Sequence, residues 1–397
     1  EWAMPMVESF EAGFKDIKSL TWPARHVDRL LLTELDHQDW TDISSYMSQA
    51  MTDEVIDQAI LSLPPEILPV SGYELGEMLK SRRDQLPDAV DTYYSLLARQ
   101  VDVVGSNKHE WVEVERLAGG NVQVRMYKRN KAGEVFRDHP LYHREFVRKE
   151  TREICIYGLD GEDVFHVSGR ARNSILVRII GGPGPDRITD DSQVGGSKRH
   201  TLIYDTEDTP VSLGPESRDL RSDDPDINIY DRKAFTYNTY LPKPLVYYSS
   251  DDGFVGSFGM NWTRHGFRKE EFKSSHDLGL RAGTSGNVQV ETENLWKEVA
   301  GNWDAGFNAY YGHYYPYYNF FGLGNQTAKD PDLFAADYYK VYLKGLISSL
   351  YAENEIFRKG VFRVGLLYER IDSRAETDSM FIVEDEWIKG ADQVSMG

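Results

Sequence analysis

The sequence predicts a mainly β protein with an α-helical N-terminal segment, in which a compact all-β domain is followed by an incomplete antiparallel transmembrane β-barrel. Three observations carry this prediction. Apolar residues recur every three to four positions over the first hundred residues, the period switches to two at Trp111, and alternating runs of about 9–12 residues, rich in aromatics, appear after position 251. The expected organisation is a helical segment over 1–104, an all-β periplasmic domain over 105–213, a linker over 214–250 and the first barrel strands over 251–397.

Composition narrows the function classes. A chain of 397 residues exceeds the usual single-domain size. With 45 Lys+Arg against 64 Asp+Glu, the net charge of −19 argues against a nucleic-acid partner, which requires a basic footprint. The lone Cys155 excludes a disulfide framework and a cysteine-rich zinc site. No apolar run reaches the ~20 residues of a membrane-spanning helix, which leaves strands as the means of crossing a bilayer.

The helical segment shows apolar stripes at Val27, Leu30, Leu31 and Leu35, at Ile43, Tyr46, Met47 and Ala50, and at Val55, Ala59 and Leu63. Thr52 before Asp53-Glu54 is a helix start, and Ser71 with Glu74 fits a capping box. Pro64-Pro65 ends one helix, and Pro87 is expected in the first turn of another. From Trp111 the alternation of Val112 and Val114, then Val122, Val124 and Met126, predicts a hairpin turning at Gly119-Gly120-Asn121. Short strands follow at Glu153 to Tyr157, Val164 to Val167, Ile175 to Ile180 and Thr201 to Tyr204. Residues 214–250 have no clear period and read as a linker or crossing segment.

Sixteen of the 24 tyrosines lie at or beyond Tyr230. Phe254, Gly256, Phe258, Met260 and Trp262 fall on one face of a run, with Val255, Ser257, Gly259, Asn261 and Thr263 on the other. Similar alternation covers 302–311, 338–347 and 362–369. A lipid-facing side needs an apolar residue at every second position, whereas a lumen-facing side admits small, polar or charged ones. Tyr and Trp near strand ends suit the membrane interfaces. A soluble sandwich also alternates, with shorter strands. Some five or six such strands fit between 251 and 370, fewer than the eight of the smallest closed barrels. That shortfall, together with a first residue that is not Met, reads as an excerpt of a longer protein.

Two glycine-aspartate segments stand out, Gly158-Leu159-Asp160-Gly161-Glu162-Asp163 and Gly181-Gly182-Pro183-Gly184-Pro185-Asp186. The second fits the nonapeptide of calcium-binding β-rolls, where carboxylates and carbonyls supply hard oxygen ligands. Asp160, Asp163, Asp186 and Asp190 are therefore the candidate Ca²⁺ ligands. Two imperfect copies 23 residues apart fit strand-turn-strand corners better than a stacked β-roll, with glycine for the turn and aspartate capping it. His139 and His143 flank Pro140 and make no helical metal pair, and no nucleophile or phosphate-binding motif is present. Cys155, between Ile154 and Ile156, reads as a buried thiol. Arg25-His26-x-Asp28-Arg29 reads either as an anchor for its helix or as a solvated face, and so does Arg82-Arg83-Asp84.

The stretch Asn319-Phe320-Phe321-Gly322-Leu323-Gly324-Asn325-Gln326-Thr327 resembles a loop of very large Gram-negative outer-membrane proteins that end in a BamA/TamA-like β-barrel. Leu20-Thr21-Trp22 with His26, Asp28 and Arg29, then Leu63-Pro64-Pro65-Glu66 and Leu79 to Asp84, resemble that family's helical segment. Glu153 to Gly161 and Ile179 to Gly184 resemble its β-domain, so the resemblance runs from about 18 to about 370. Gln326 departs from the acidic residue of the family loop. The resemblance implies an outer-membrane location with a periplasmic part. It also implies a metallophosphoesterase-like or kinase-like region upstream in many members, none of whose catalytic motifs occurs in these residues.

The expected function is non-catalytic: membrane anchoring, insertion or translocation, with outer-membrane lipid as partner and a passenger protein or an upstream catalytic domain as further partners. The alternative is a set of accessory domains of a surface or periplasmic phosphoesterase whose catalytic part lies upstream. No cofactor is expected beyond the candidate Ca²⁺.

Overall fold

A computed structural model describes residues 10–249, 252–269, 271–313, 318–321, 328–336, 338–356, 360–374 and 394–395. The protein is mainly β, with 43% strand and 22% helix, and its helices gather at the N-terminal side. The chain divides into two compact units, Glu1–Phe235 and Thr236–Gly397.

The first unit opens with α1 (Ile17–Thr21), α2 (Arg25–Leu31), α3 (His37–Ala50), α4 (Asp53–Leu61) and α5 (Tyr73–Ala98). Asp36 caps α3 in a capping box with Asp39, and Thr52 caps α4 through the Val55 amide. The expected Ser71–Glu74 box does not form. Residues Leu68–Gly72 make a π-turn that runs straight into α5, so no free N-terminus is left to cap. Pro87 sits inside α5 rather than in a first turn. Its ring frees the carbonyl of Arg83, four residues back, which accepts from Ser48 Oγ of α3 at 3.5 Å. Helices α1, α3 and α4 pack on α5, and α2 and α5 both contact β1.

The β-domain is a stack of coils. Strands β1 (Gln100–Val104), β6 (Glu153–Tyr157), β8 (Leu176–Ile180), β11 (Thr201–Tyr204) and β13 (Ser217–Asp219) pair in that order, all parallel, in one sheet. Strands β2 (Glu110–Arg116), β7 (Val164–Ala171), β9 (Arg187–Asp190) and β12 (Val211–Ser212) pair in parallel in a second sheet. The chain alternates between the sheets, one strand each per coil. A loop-out between the first two coils adds β3 (Val122–Arg129), β4 (Val135–Phe136) and β5 (Tyr142–Phe146) to the edge of the second sheet, and β10 (Gln193–Val194) pairs with β7. The predicted β2–β3 hairpin is present, whereas the parallel stacking behind it is what the short-strand pattern did not disclose.

The core lies between the sheets and is built from ladders of like residues. Val103, Ile156, Ile179 and Ile203 stand in register, as do Val112, Phe165, Ile188 and Val211. All but Val211 are fully buried. Burying a Val, Ile or Phe side chain stabilises by roughly 1.5–3 kcal/mol.

The second unit is an antiparallel sheet of seven long strands: β14 (Thr239–Ser249), β15 (Gly253–Arg264), β16 (Ser274–Gly283), β17 (Val288–Ala300), β18 (Trp303–His313), then β20 (Lys340–Ile356) and β21 (Gly360–Arg374). The pairs β19 (Tyr318–Asn319) with β20 and β22 (Val394–Ser395) with β21 add to it. Short helices α6 (Pro225–Asn228) and α7 (Pro331–Ala335) lie in connections. The stretch 214–250 is therefore not all linker, since β13 joins the first sheet and β14 is the first strand of the long one. Pro242 and Pro244 hide β14 from propensity, and its place at the end of the strand order is where a strand tolerates proline. Six of the long strands begin within 251–370, as expected, and β14 before them makes seven among the described residues.

Candidate functional site

The two glycine-aspartate segments are corners joining β6 to β7 and β8 to β9, and they stack on each other. A Cβ placed on Gly182 would strike the Leu159 carbonyl, and one on Gly184 would strike that of Gly161. Each pair is 23 residues apart, so the spacing is one turn of the coil. The position of Gly182, at φ +112°, is filled one coil earlier by Leu159 at φ 74°.

At this corner the chain repeats a glycine followed five residues later by an acid: Gly105 and Glu110, Gly158 and Asp163, Gly181 and Asp186. The next coil puts Asp205 where the glycine would be. The four acids, all fully buried, form a ladder. Asp163 Oδ1 accepts from the Glu110 amide at 2.7 Å, and Asp186 Oδ1 accepts from the Asp163 amide at 2.7 Å. The other oxygen of Asp163, Asp186 and Asp205 is buried without a hydrogen-bond partner. The Oδ2 atoms of Asp186 and Asp205 both crowd the point where a Gly181 Cβ would sit. Burial pushes Asp163 up to about 9, opposed by the Glu110 amide and reinforced by the Asp186 charge. Burial likewise pushes Asp186 to about 7 and Asp205 to about 6.

Of the four candidate calcium ligands, Asp163 and Asp186 meet in this ladder, while Asp160 is exposed beside it and Asp190 is carried away along β9. Asp190 accepts from Ser192 and Ser217 at the far end of the sheet. Among the described residues, no group of three or more His, Cys, Asp or Glu side chains is arranged to hold a metal ion. The sequence signal at Asp163 and Asp186 was the glycine-rich turn. Glu110 and Asp205 escape it, one because its turn has a single glycine and the other because it replaces one.

A second buried polar cluster fills the opposite end. Arg116 is enclosed and gives its donors to Ser192 Oγ (3.1 Å), Ser174 Oγ (2.9 Å), the carbonyls of Ile175 (3.0 Å) and His200 (2.9 Å), and Thr201 Oγ1 (2.8 Å). Glu216 lies 3.9 Å from its Nε. A fully bonded guanidinium of this kind locks three coils together and fits a structural part. Cys155 is fully buried beside Arg178, and burial pushes its thiol well above the usual range, which makes it unreactive.

The seven-stranded sheet has two chemically different faces. Register aligns Tyr240, Pro242, Pro244, Val246 and Tyr248 of β14 with Trp262, Met260, Phe258, Gly256 and Phe254 of β15. The same face continues through Leu278 and Leu280, Val288 and Val290, Phe307 and Tyr311, Leu346 and Leu350, to Phe362, Val364, Leu366 and Tyr368. Most of these side chains are exposed, Val246 at 76%, Leu366 at 74% and Phe254 at 65%, while Met260, Trp262 and Phe307 are half-buried. An exposed apolar surface spanning seven strands exceeds anything usual on a water-facing monomer. Aromatics cluster toward one end, where the His276 ring stacks on Trp262 at 5.1 Å and meets Trp296 edge-on at 5.2 Å.

The reverse face carries glycines and charges, with Leu241, Leu245, Leu367 and Ile371 exposed among them. Lys243 pairs with Asp277 at 3.1 Å, Asn261 donates to Asp277 at 2.6 Å, and Arg363 pairs with Glu353 at 2.6 Å. Tyr351 stands in register between Gly306 and Gly365 and lies over Gly306, where an added Cβ would strike its ring. Of the distinctive loop at 319–327, Asn319 pairs with Lys340 in the sheet, and Phe321 packs on Tyr339 at 4.8 Å. Gly322 to Thr327 lie outside the described residues.

No family model, curated protein or solved structure matches this chain.

Proposed function

We propose that residues 236–397 contribute membrane-spanning strands to an outer-membrane β-barrel, and that the chain serves anchoring, insertion or translocation rather than chemistry. One observation carries the reading: a largely apolar, mostly exposed face across seven antiparallel strands, backed by a face richer in glycines and paired charges. Strands of 10 to 17 residues match or exceed the 9–11 that a tilted strand needs to cross the hydrocarbon layer. An apolar outside and a polar inside are what lipid and lumen respectively demand. The resemblance to proteins ending in a BamA/TamA-like barrel supports the same reading, in which the first unit is the periplasmic part.

Lipid contact is directly measurable. In vesicles containing brominated lipid, a variant retaining only Trp296 is expected to show strong fluorescence quenching. Leu280→Arg on the apolar face is expected to cost about 2–4 kcal/mol of folding into vesicles, whereas Ser257→Arg on the reverse face costs well under 1. Equal effects at the two positions, or no quenching, would reject the reading.

A further inference from the structure

We infer that a small cavity in the first unit binds a short monocarboxylate, taken carboxylate-first. The cavity, about 20 Å³, lies where α2 and α5 meet the start of the β-domain. Its polar walls are Arg29, Arg144, Asp28, Thr33 and Tyr94, and apolar walls include Leu97.

The two arginines are 94–95% buried, with exposures of 6% and 5%. Arg29 donates from Nη2 to the Gln100 carbonyl and lies over the Phe235 ring, 3.5 Å from its centroid. Arg144 donates to the Thr33 carbonyl at 2.7 Å and to Tyr94 Oη at 3.2 Å. Arg29 Nε and Nη1 and Arg144 Nε are buried and have no acceptor. Among the described residues, neither guanidinium makes an ion pair. A buried cation with unused donors is costly unless an anion answers it.

The chemistry of the walls selects the anion. Two guanidinium groups and one carboxylate, Asp28, line the cavity, and Glu150 stands behind the wall, accepting from Tyr94 Oη at 2.7 Å, so at most one further negative charge is called for. One water needs about 10–15 Å³, so 20 Å³ admits the oxygens of one carboxylate and excludes a tetrahedral dianion. Planar carboxylate also matches the fork of an arginine. Tyr93 holds Asp28 by a hydrogen bond to Oδ2, which keeps that acid on its own wall.

The test uses the full chain of 397 residues in detergent, at constant ionic strength. Acetate and propionate are expected to raise the melting temperature with concentration and to broaden the signal of ¹³C-acetate, while chloride and phosphate do neither. Arg144→Gln is expected to weaken acetate binding at least tenfold. Since that change removes two structural bonds, Ala98→Leu, which fills the cavity wall and keeps both arginines, provides the second variant and is expected to abolish the broadening. No acetate effect in the native chain, an equal effect of phosphate, or undiminished binding in Ala98→Leu would each overturn the assignment.

Discussion

Asp186 shows how far one side chain can move a titration. Its carboxyl ordinarily loses its proton near 3.8, and here burial holds the proton up to about 7. Asp163 and Asp205 behave alike, up to about 9 and about 6. The folded state therefore binds more protons than the unfolded chain across this interval. The stability these groups allow is complete below about pH 4 and declines as pH rises through 6, 7 and 9. Asp186→Asn keeps the acceptor for the Asp163 amide and removes the charge. It is expected to leave stability unchanged at pH 4, to raise it by about 1–2 kcal/mol at pH 8, and to flatten the slope between. Hydrogen exchange of the β6 and β8 amides at the two pH values checks this, and equal protection at both would contradict it. At this scale the sequence disclosed only half the ladder. Gly-rich turns marked Asp163 and Asp186; Arg29 stood out only as an anchor or a solvated face and nothing local marks Arg144, since the character of both comes from burial by residues far along the chain.

At the scale of elements, legibility followed periodicity. The amphipathic helices and the β2–β3 hairpin were readable because period and turn chemistry are local. The long strands β15, β18, β20 and β21 were readable because their alternation lasts about ten residues. Strand β14 was not, since two prolines mask it, and the parallel coils were not, since the strands of the first sheet are only three to five residues long and their partners lie one coil away. Capping at α5 failed because the preceding turn continues into the helix. The fit of Tyr351 between two glycines makes an element-scale prediction. Gly306→Ala forces the Tyr351 ring aside and is expected to destabilise the sheet by about 1–3 kcal/mol, measured by urea unfolding in vesicles. Adding Tyr351→Ala is expected to remove the penalty of the alanine at 306, and additive losses would refute the packing argument.

For the whole molecule, the division at residue 235 separates two ways of disposing of apolar surface. One unit hides its apolar ladders between sheets, while the other displays them. Residues 10–235 alone are expected to run as a monodisperse species without detergent and to keep the pH dependence of the carboxyl ladder. Residues 236–397 alone are expected to require detergent or lipid. Size-exclusion chromatography decides, and a detergent-free folded monomer of the second unit would remove the membrane reading.

The stacked corner glycines give the two coils they join a shared step of 23 residues. Removing residues 158–180 would join Tyr157 to Gly181, the successor of the residue it already faces, and would shorten the stack by one layer of about 4.8 Å with every remaining ladder still in phase. Removing 22 or 24 residues instead would throw Ile and Arg, Gly and Asp onto one another's places. Length changes in this region are thus quantised, and a chain can gain or lose height here only in whole turns.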